Sequence, residues 1–356
     1  MEKSGHNAGR VTIKQVAQAA QVHYSTVSKA LRGRGRIPAA TRDRIQQIAR
    51  AIGYQQDSVM QALAAQRSRC SGLHREPRIV FLTNRWSTDE PGSGAFVRQY
   101  AEGVRHQAEL MGCACDLLPV GDEKPDPADI ECLLDPARTD GIIIGAFDPL
   151  LRQLELEWSR YAVVKIDSAF MLPKASLVAN DQLQIVGTAF QHAFRLGYRR
   201  IGMAVGQAEE EATRSRYSAG YYVAREELEL PEIPILYFRE HRDDGAATAR
   251  RMADWVREHR LEIVLSSWGS VRELLGVCGL QVPRDVACMC LCLNAPDPAL
   301  AGIIQRHFVV GQKAAEALSL LIMRRKRGLA MRSTATYVGG TWQDGASAPR
   351  CDPREP

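Results

Sequence analysis

No stretch of this 356-residue sequence approaches the ~18–20 consecutive apolar residues that a membrane-spanning helix needs. The first ten residues, MEKSGHNAGR, lack the apolar core of an export signal, so a cytoplasmic protein is expected. The common catalytic signatures are also missing. There is no G-x-x-x-x-G-K-[ST] phosphate loop, no G-x-S-x-G elbow and no HExxH pair. Eight histidines are scattered without ligand spacing, and the nine cysteines form no C-x-x-C pair. These absences argue against an enzyme and against a metal or other cofactor. An odd cysteine count without an export signal points to reduced thiols. Cys288, Cys290 and Cys292 alternate within VACMCLCL, which places all three on one face of an apolar strand. There cysteine acts as a small buried hydrophobe and not as a metal ligand.

At ~100–200 residues per domain, the length suggests two or three domains. The net charge of +5 is unevenly distributed. Residues 1–75 hold thirteen Lys/Arg against three Asp/Glu, a net of +10, which leaves −5 for the remainder. A basic head on an acidic body suits phosphate contact confined to one end of the molecule.

The head carries helical periodicity. Thr12 and Gln15 have capping-box spacing, and Ile13, Val16, Ala17 and Ala20 then fall on one face. After a break at residues 21–24, a second helix reads Ser25 to Leu31, with Val27, Ala30 and Leu31 facing inward. Tyr24, Ser25, Ser28 and Lys29 lie on its opposite side, the arrangement that major-groove readout requires. The loop Arg32-Gly-Arg34-Gly-Arg36 suits phosphate contact. A third helix spans Thr41 to about Ile52, with Ile45, Ile48, Ala49 and Ile52 as its core face, and Gly53 ends it.

Three stretches of the head share an order and spacing with a known family. These are Val-Thr-Ile-Lys-x-Val-Ala at 11–17, Val22-x-x-x-Thr26-Val27-Ser28, and Thr41-Arg42 followed by Gly53-Tyr54. The sequence resembles the lac repressor (LacI/GalR) family over roughly residues 10–345. The resemblance implies a helix-turn-helix DNA-binding domain over 10–55 and a hinge helix or linker over 56–69. Tyr24, Ser25 and Lys29 would face base edges. Thr12, Thr26, Ser28 and Thr41 would contact phosphates or cap helices, with Arg32 and Arg34 adding phosphate contacts. Lys29 stands where the family usually has arginine, and lysine is a point donor where arginine is bidentate. In the hinge, Leu63 matches the leucine that wedges into the minor groove, flanked by Met60 and Ala64. Gln56 and Asp57 depart from the family's usual Pro-Asn.

The body reads as alternating strands and helices, hence parallel sheets. Strands are expected at 78–83, 113–119, 140–145, 162–167, 200–205, 262–266 and 285–293, with a helix over about 96–111. The runs DGIII at 140–144, VVxID at 163–167, LGYRRI at 196–201 and VPRDVA at 282–287 are similar to the same family's effector domain. That resemblance implies an α/β, periplasmic-binding-protein-like body over 78–345. Subdomain 1 would hold about 78–178 plus 309–345 and subdomain 2 about 179–308, with three crossings between them. Ligands in such folds bind at the carboxyl ends of the strands.

Asp167, Arg216 and Trp268 are the candidate effector-binding residues. Tyr217 takes the place of an arginine that family members commonly use for sugars, with Arg216 one residue off. Trp268 replaces a customary aspartate, and Cys292 or Leu293 another. A different carbohydrate, a non-sugar ligand and no effector at all remain open readings. Asp167 also fits a strand-end cap, and Trp268 a core residue. Glu209 to Glu211 is expected in a solvated loop. The expected molecule is a DNA-binding transcriptional regulator, acting as a repressor and homodimer on a near-palindromic double-stranded operator under small-molecule control. The alternative is a cytoplasmic solute-binding protein of the same body type.

Overall fold

Three short helices meet in the head because small side chains line their contacts. In α1 (Ile13–Ala20) these are Val16, Ala17 and Ala20, in α2 (Tyr24–Leu31) Val27 and Ala30, and in α3 (Ala39–Ala51) Ile45 and Ala49. Gln21 adopts a left-handed φ of 51°, which turns the chain sharply between α1 and α2. Arg44 donates from Nη2 to the carbonyl of Ala20 at 3.2 Å and so satisfies the end of α1. Helix α3 begins two residues earlier than Thr41, directly after Pro38. This computed structural model describes residues 13–31, 37–52, 76–84, 95–120, 127–135, 137–148, 151–238, 245–329 and 331–351. The side chains of Ile13, Lys14, Ser25, Ser28 and Lys29 are outside that description.

The body is built on two six-stranded sheets. In chain order the first half supplies β1 (Arg78–Thr83), α4 (Ala95–Leu110), β2 (Ala114–Pro119), α5 (Pro127–Leu134), β3 (Gly141–Ile144), β4 (Ala162–Ile166) and β5 (Ser176–Asn180). The second half supplies α6 (Gln182–Arg195), β6 (Ile201–Gly206), α7 (Gln207–Ala212), α8 (Arg216–Glu227), β7 (Leu236–Phe238), α9 (Gly245–Glu258), β8 (Ile263–Ser266), α10 (Val271–Val277), β9 (Ala287–Leu293) and β10 (Gly302–Ile304). The chain closes with α11 (His307–Met323), β11 (Ala335–Val338) and β12 (Thr341–Gln343).

The first sheet runs β11-β5-β4-β3-β1-β2, all parallel. The second runs β12-β10-β9-β8-β6-β7, parallel except for β12 against β10. Central strands buried on both faces explain the continuous apolar runs that made them legible. On β9 the pleat sends Met289 and Leu291 to one core and Cys288 and Cys290 to the other. Burial pushes the Cys288 and Cys290 thiols up to about 12, which keeps them neutral.

The chain passes between the lobes at residues 180–182, 305–307 and 338–341. Helix α11 packs on β3, β4 and β5 of the first sheet. Strand β12 pairs with β10, so the chain from Thr341 onward returns to the second sheet. The expected placement of 309–345 in subdomain 1 is corrected at that point. Ser347 Oγ bonds the Cys288 carbonyl at 2.7 Å, and Cys351 N–H bonds the Leu196 carbonyl at 2.8 Å, which fixes the tail there. Strands β5, β7, β10, β11 and β12 were not expected from the sequence. The acidic run 209–211 is also corrected: it forms part of helix α7 and is not a solvated loop. Glu210 is buried there and accepts bonds from the Ser218 hydroxyl and, at 3.3 Å, from the Ser218 N–H. Among the described residues no helix is long and apolar enough to cross a membrane.

Candidate functional site

The head and the body each hold a candidate site. In the head, residues 25, 28 and 29 occupy turns of α2 away from the buried Val27 and Ala30. Thr26 and Tyr24 are half-buried, and the Tyr24 ring tilts against His23 at 4.3 Å while touching the head core. Tyr24 is therefore anchored at its base as well as presented outward. Thr41 is half-buried on α3. Thr12, Arg32, Arg34, Met60, Leu63 and Ala64 lie outside the described residues, as does the whole hinge segment 56–69.

In the body, the carboxyl ends of both sheets converge on a cleft. Asp167 follows β4 and holds a left-handed φ of 55°. Its carboxylate accepts a bond from the Tyr100 hydroxyl on α4, and Asn180 Nδ2 at the end of β5 donates to that hydroxyl at 3.0 Å. Burial raises the Asp167 carboxyl to about 6, against the lowering effect of the Tyr100 bond and the Asn180 N–H. Burial likewise pushes the Tyr100 phenol well above its usual range, reinforced by the Asp167 charge. His307, at the start of α11, lies 5.0 Å from the Tyr100 ring, and Phe96 contacts both. Burial lowers the His307 imidazole to about 4, so it is neutral at physiological pH.

The second lobe contributes Tyr217 from α8, whose hydroxyl lies 3.4 Å from Gln182 Nε2. Cys292, at the end of β9, feels the Asp167 charge, and burial keeps its thiol protonated. Three buried polar atoms around this cleft have no protein partner: Asn180 Oδ1, Gln182 Oε1 and His307 Nδ1. All three can accept a hydrogen bond from a ligand. Across the cleft, Gln99 Nε2 donates to the Asn294 carbonyl at 3.1 Å, and Arg152 pairs with Glu211 at 2.6 Å. These contacts hold the lobes together.

The three residues expected in the pocket have different surroundings. Asp167 lines the cleft. Arg216 pairs with Asp181 at 2.8 Å and lies over the Tyr337 ring at 3.9 Å, so its guanidinium sits at the crossing between lobes. Trp268 packs against Phe238 at 3.8 Å between ring centres, within the outer core of the second lobe. Sequence reasoning did not single out Tyr100, Asn180, Gln182 and His307. Tyr100 lies mid-way along α4, His307 starts α11, and Asn180 and Gln182 flank Asp181 at the first crossing, far from both in sequence.

Comparison with known proteins decides the kinship. Residues 12–57 match the model of bacterial regulatory proteins of the lacI family, and residues 90–254 match that of periplasmic binding proteins and the sugar-binding domain of the LacI family. The chain belongs to the LacI family. Among relatives, it is 29% identical over 228 residues to the maltose regulon regulatory protein MalI of Escherichia coli K12. That match covers 63% of this chain and 62% of MalI's own length. It is 24% identical over 256 residues to the regulator DegA of Bacillus subtilis, covering 69% and 70% of the two chains. Among solved structures, the fold is similar to a CelR–cellobiose complex, with a TM-score of 0.60, 18% identity, and 95% and 100% coverage. It is also similar to a lac repressor dimer bound to operator and the anti-inducer ONPF, with a TM-score of 0.56, 15% identity, and 96% and 99% coverage. The LacI-family frame fits both the three-helix head and the two-sheet body.

Proposed function

We propose that this LacI-family chain is a sequence-specific DNA-binding transcriptional regulator, acting as a cytoplasmic homodimeric repressor without enzymatic activity. The head carries this reading, since its three helices bury one small-residue face and leave the other face of α2 for DNA. Tyr24, Ser25 and Lys29 read base edges in the major groove. Thr12, Thr26, Ser28, Arg32, Arg34 and Thr41 serve phosphates. Met60, Leu63 and Ala64 form the minor-groove wedge, which needs two hinges and so a dimer.

The cleft takes the effector. Its orphaned acceptors on Asn180, Gln182 and His307 call for a ligand rich in hydroxyl donors, and Phe96 with His307 offers ring faces. A neutral carbohydrate or polyol meets those demands, in keeping with the cellobiose complex of a structural relative. Asp167 is the charged acceptor of the site. Arg216 acts through the Asp181 pair at the crossing, and Trp268 shapes the cleft wall from behind. A thermal-shift screen of the full chain against neutral sugars and against organic acids of matched size tests the effector assignment. Stabilisation by at least one neutral sugar supports the reading; stabilisation by acids alone contradicts it.

A further inference from the structure

At the amino ends of the second-sheet strands, opposite the cleft, the body holds a separate cavity of about 490 Å³. Its floor is apolar: Val256, Leu261 and Val286 are buried there, and the buried Tyr198 adds a ring. Its rim carries five arginines, at 200, 257, 260, 284 and 350, against only two carboxylates, Glu262 and Asp285. Both carboxylates are already engaged. Glu262 accepts the backbone N–H groups of Arg199 and Arg200 at 2.6 and 3.0 Å. Asp285 accepts from Arg284 at 3.0 Å and from the Gln281 N–H at 2.8 Å. Arg200 is committed to the carbonyls of His259 and Arg260 at 2.8 and 3.2 Å, and Arg257 to the Cys278 carbonyl and Asp254. Among the described residues, no hydrogen bond or ion pair holds the guanidinium of Arg260 or of Arg350.

The cavity is built by long-range contacts. The C-terminal run supplies one wall, pinned by the Tyr198 hydroxyl on the Pro349 carbonyl at 2.6 Å and by the Cys351 N–H on the Leu196 carbonyl at 2.8 Å. Two uncommitted forks above an apolar floor, in a body whose net charge is negative outside the head, fit an amphiphilic anion. The excess of positive charge in the lining favours a dianion over a monocarboxylate. A volume of this size accommodates a small organic molecule.

We propose that this cavity is a second ligand site, which binds a small phosphate monoester with an apolar body, the phosphate gripped by Arg260 and Arg350 and the body resting on Val256, Leu261 and Val286. The site is independent of the effector reading of the cleft. Phenyl phosphate is the probe, titrated into the full chain by calorimetry beside inorganic phosphate and phenol. Phenyl phosphate is expected to bind at one site per chain and roughly tenfold or more tighter than either fragment, since each contributes only one of the two contacts. The double variant R260A/R350A is expected to lose roughly tenfold or more in affinity. Arg195→Ala, on the exposed surface of α6, should leave binding unchanged. Both arginines are exposed, so the double variant retains its fold, and an unchanged circular dichroism spectrum and melting temperature confirm that. Equal binding of inorganic phosphate and phenyl phosphate, unaltered binding by the double variant, or no binding of the probe overturns the proposal.

Discussion

At the residue scale, Tyr217 and Arg216 show how a one-position shift changes a pocket. The position where sugar-binding family members carry arginine holds a buried tyrosine, which meets Gln182. The neighbouring arginine turns instead to Asp181 and Tyr337. Asp167 remains the one carboxylate held against Tyr100, and burial makes it easier to protonate. Because its carboxyl rises from 3.8 to about 6, the folded body favours the protonated form. That contribution to stability is complete below 3.8 and is lost as pH rises through about 6. Asp167→Asn, which keeps an acceptor for Tyr100, should therefore raise stability at pH 7.5 by on the order of 1 kcal/mol. The gain should vanish near pH 4, as denaturant melts across that range will show. An equal change at every pH would count against a buried, titrating carboxyl. In the head, Lys29→Ala should relax preference at one half-site position while leaving the others, read by comparing selected sites for the two proteins.

At the element scale, α4 and α11 cross so closely that neither tolerates a side chain at the crossing. A Cβ at Gly103 would sit 2.0 Å from the Phe308 carbonyl oxygen, and one at Gly311 would sit 2.2 Å from that of Tyr100. Gly103→Ala should cost about 1–3 kcal/mol of stability by forcing the helices apart. Gly187→Ala on α6, where a Cβ meets nothing within 4 Å, should stabilise by about 0.5–1 kcal/mol. Urea denaturation of both variants checks the pair. Buried strands such as β1, β3 and β6 were legible because both faces are covered and their runs are mostly apolar. Strands β7, β10 and β12 have three residues each, too few for any period to register. Their existence depends on neighbouring strands that only the folded chain supplies. Asp167 was legible as the residue after a mostly apolar strand, and the structure places it against Tyr100. Asn180 and Gln182 are neighbours at the first crossing, while Tyr100 and His307 come from α4 and α11, and no spacing in sequence joins these three segments. Trp268 read equally well as pocket or core, and its contact with Phe238 gives it a core partner.

At the scale of the whole molecule, the proposed function assigns DNA reading to the basic head and ligand binding to the acidic two-lobed body. The lobes are joined at three crossings, and the Gln99–Asn294 and Arg152–Glu211 contacts bridge the cleft above them. An exposed pair such as Arg152–Glu211 contributes only ~0.2–1 kcal/mol. The paired-hinge account predicts that Leu63→Ala weakens operator binding more than binding to random DNA, measured by anisotropy on both. Equal losses would remove the wedge from the account. The central claim is that the head reads a specific sequence as a dimer. The direct measurement is binding-site selection from a random DNA pool with the full-length protein. The account predicts a near-palindromic site of two half-sites, with enriched bases where Tyr24, Ser25 and Lys29 would reach. Recovery of no enriched sequence, or of a single unpaired half-site bound at full affinity, would contradict it.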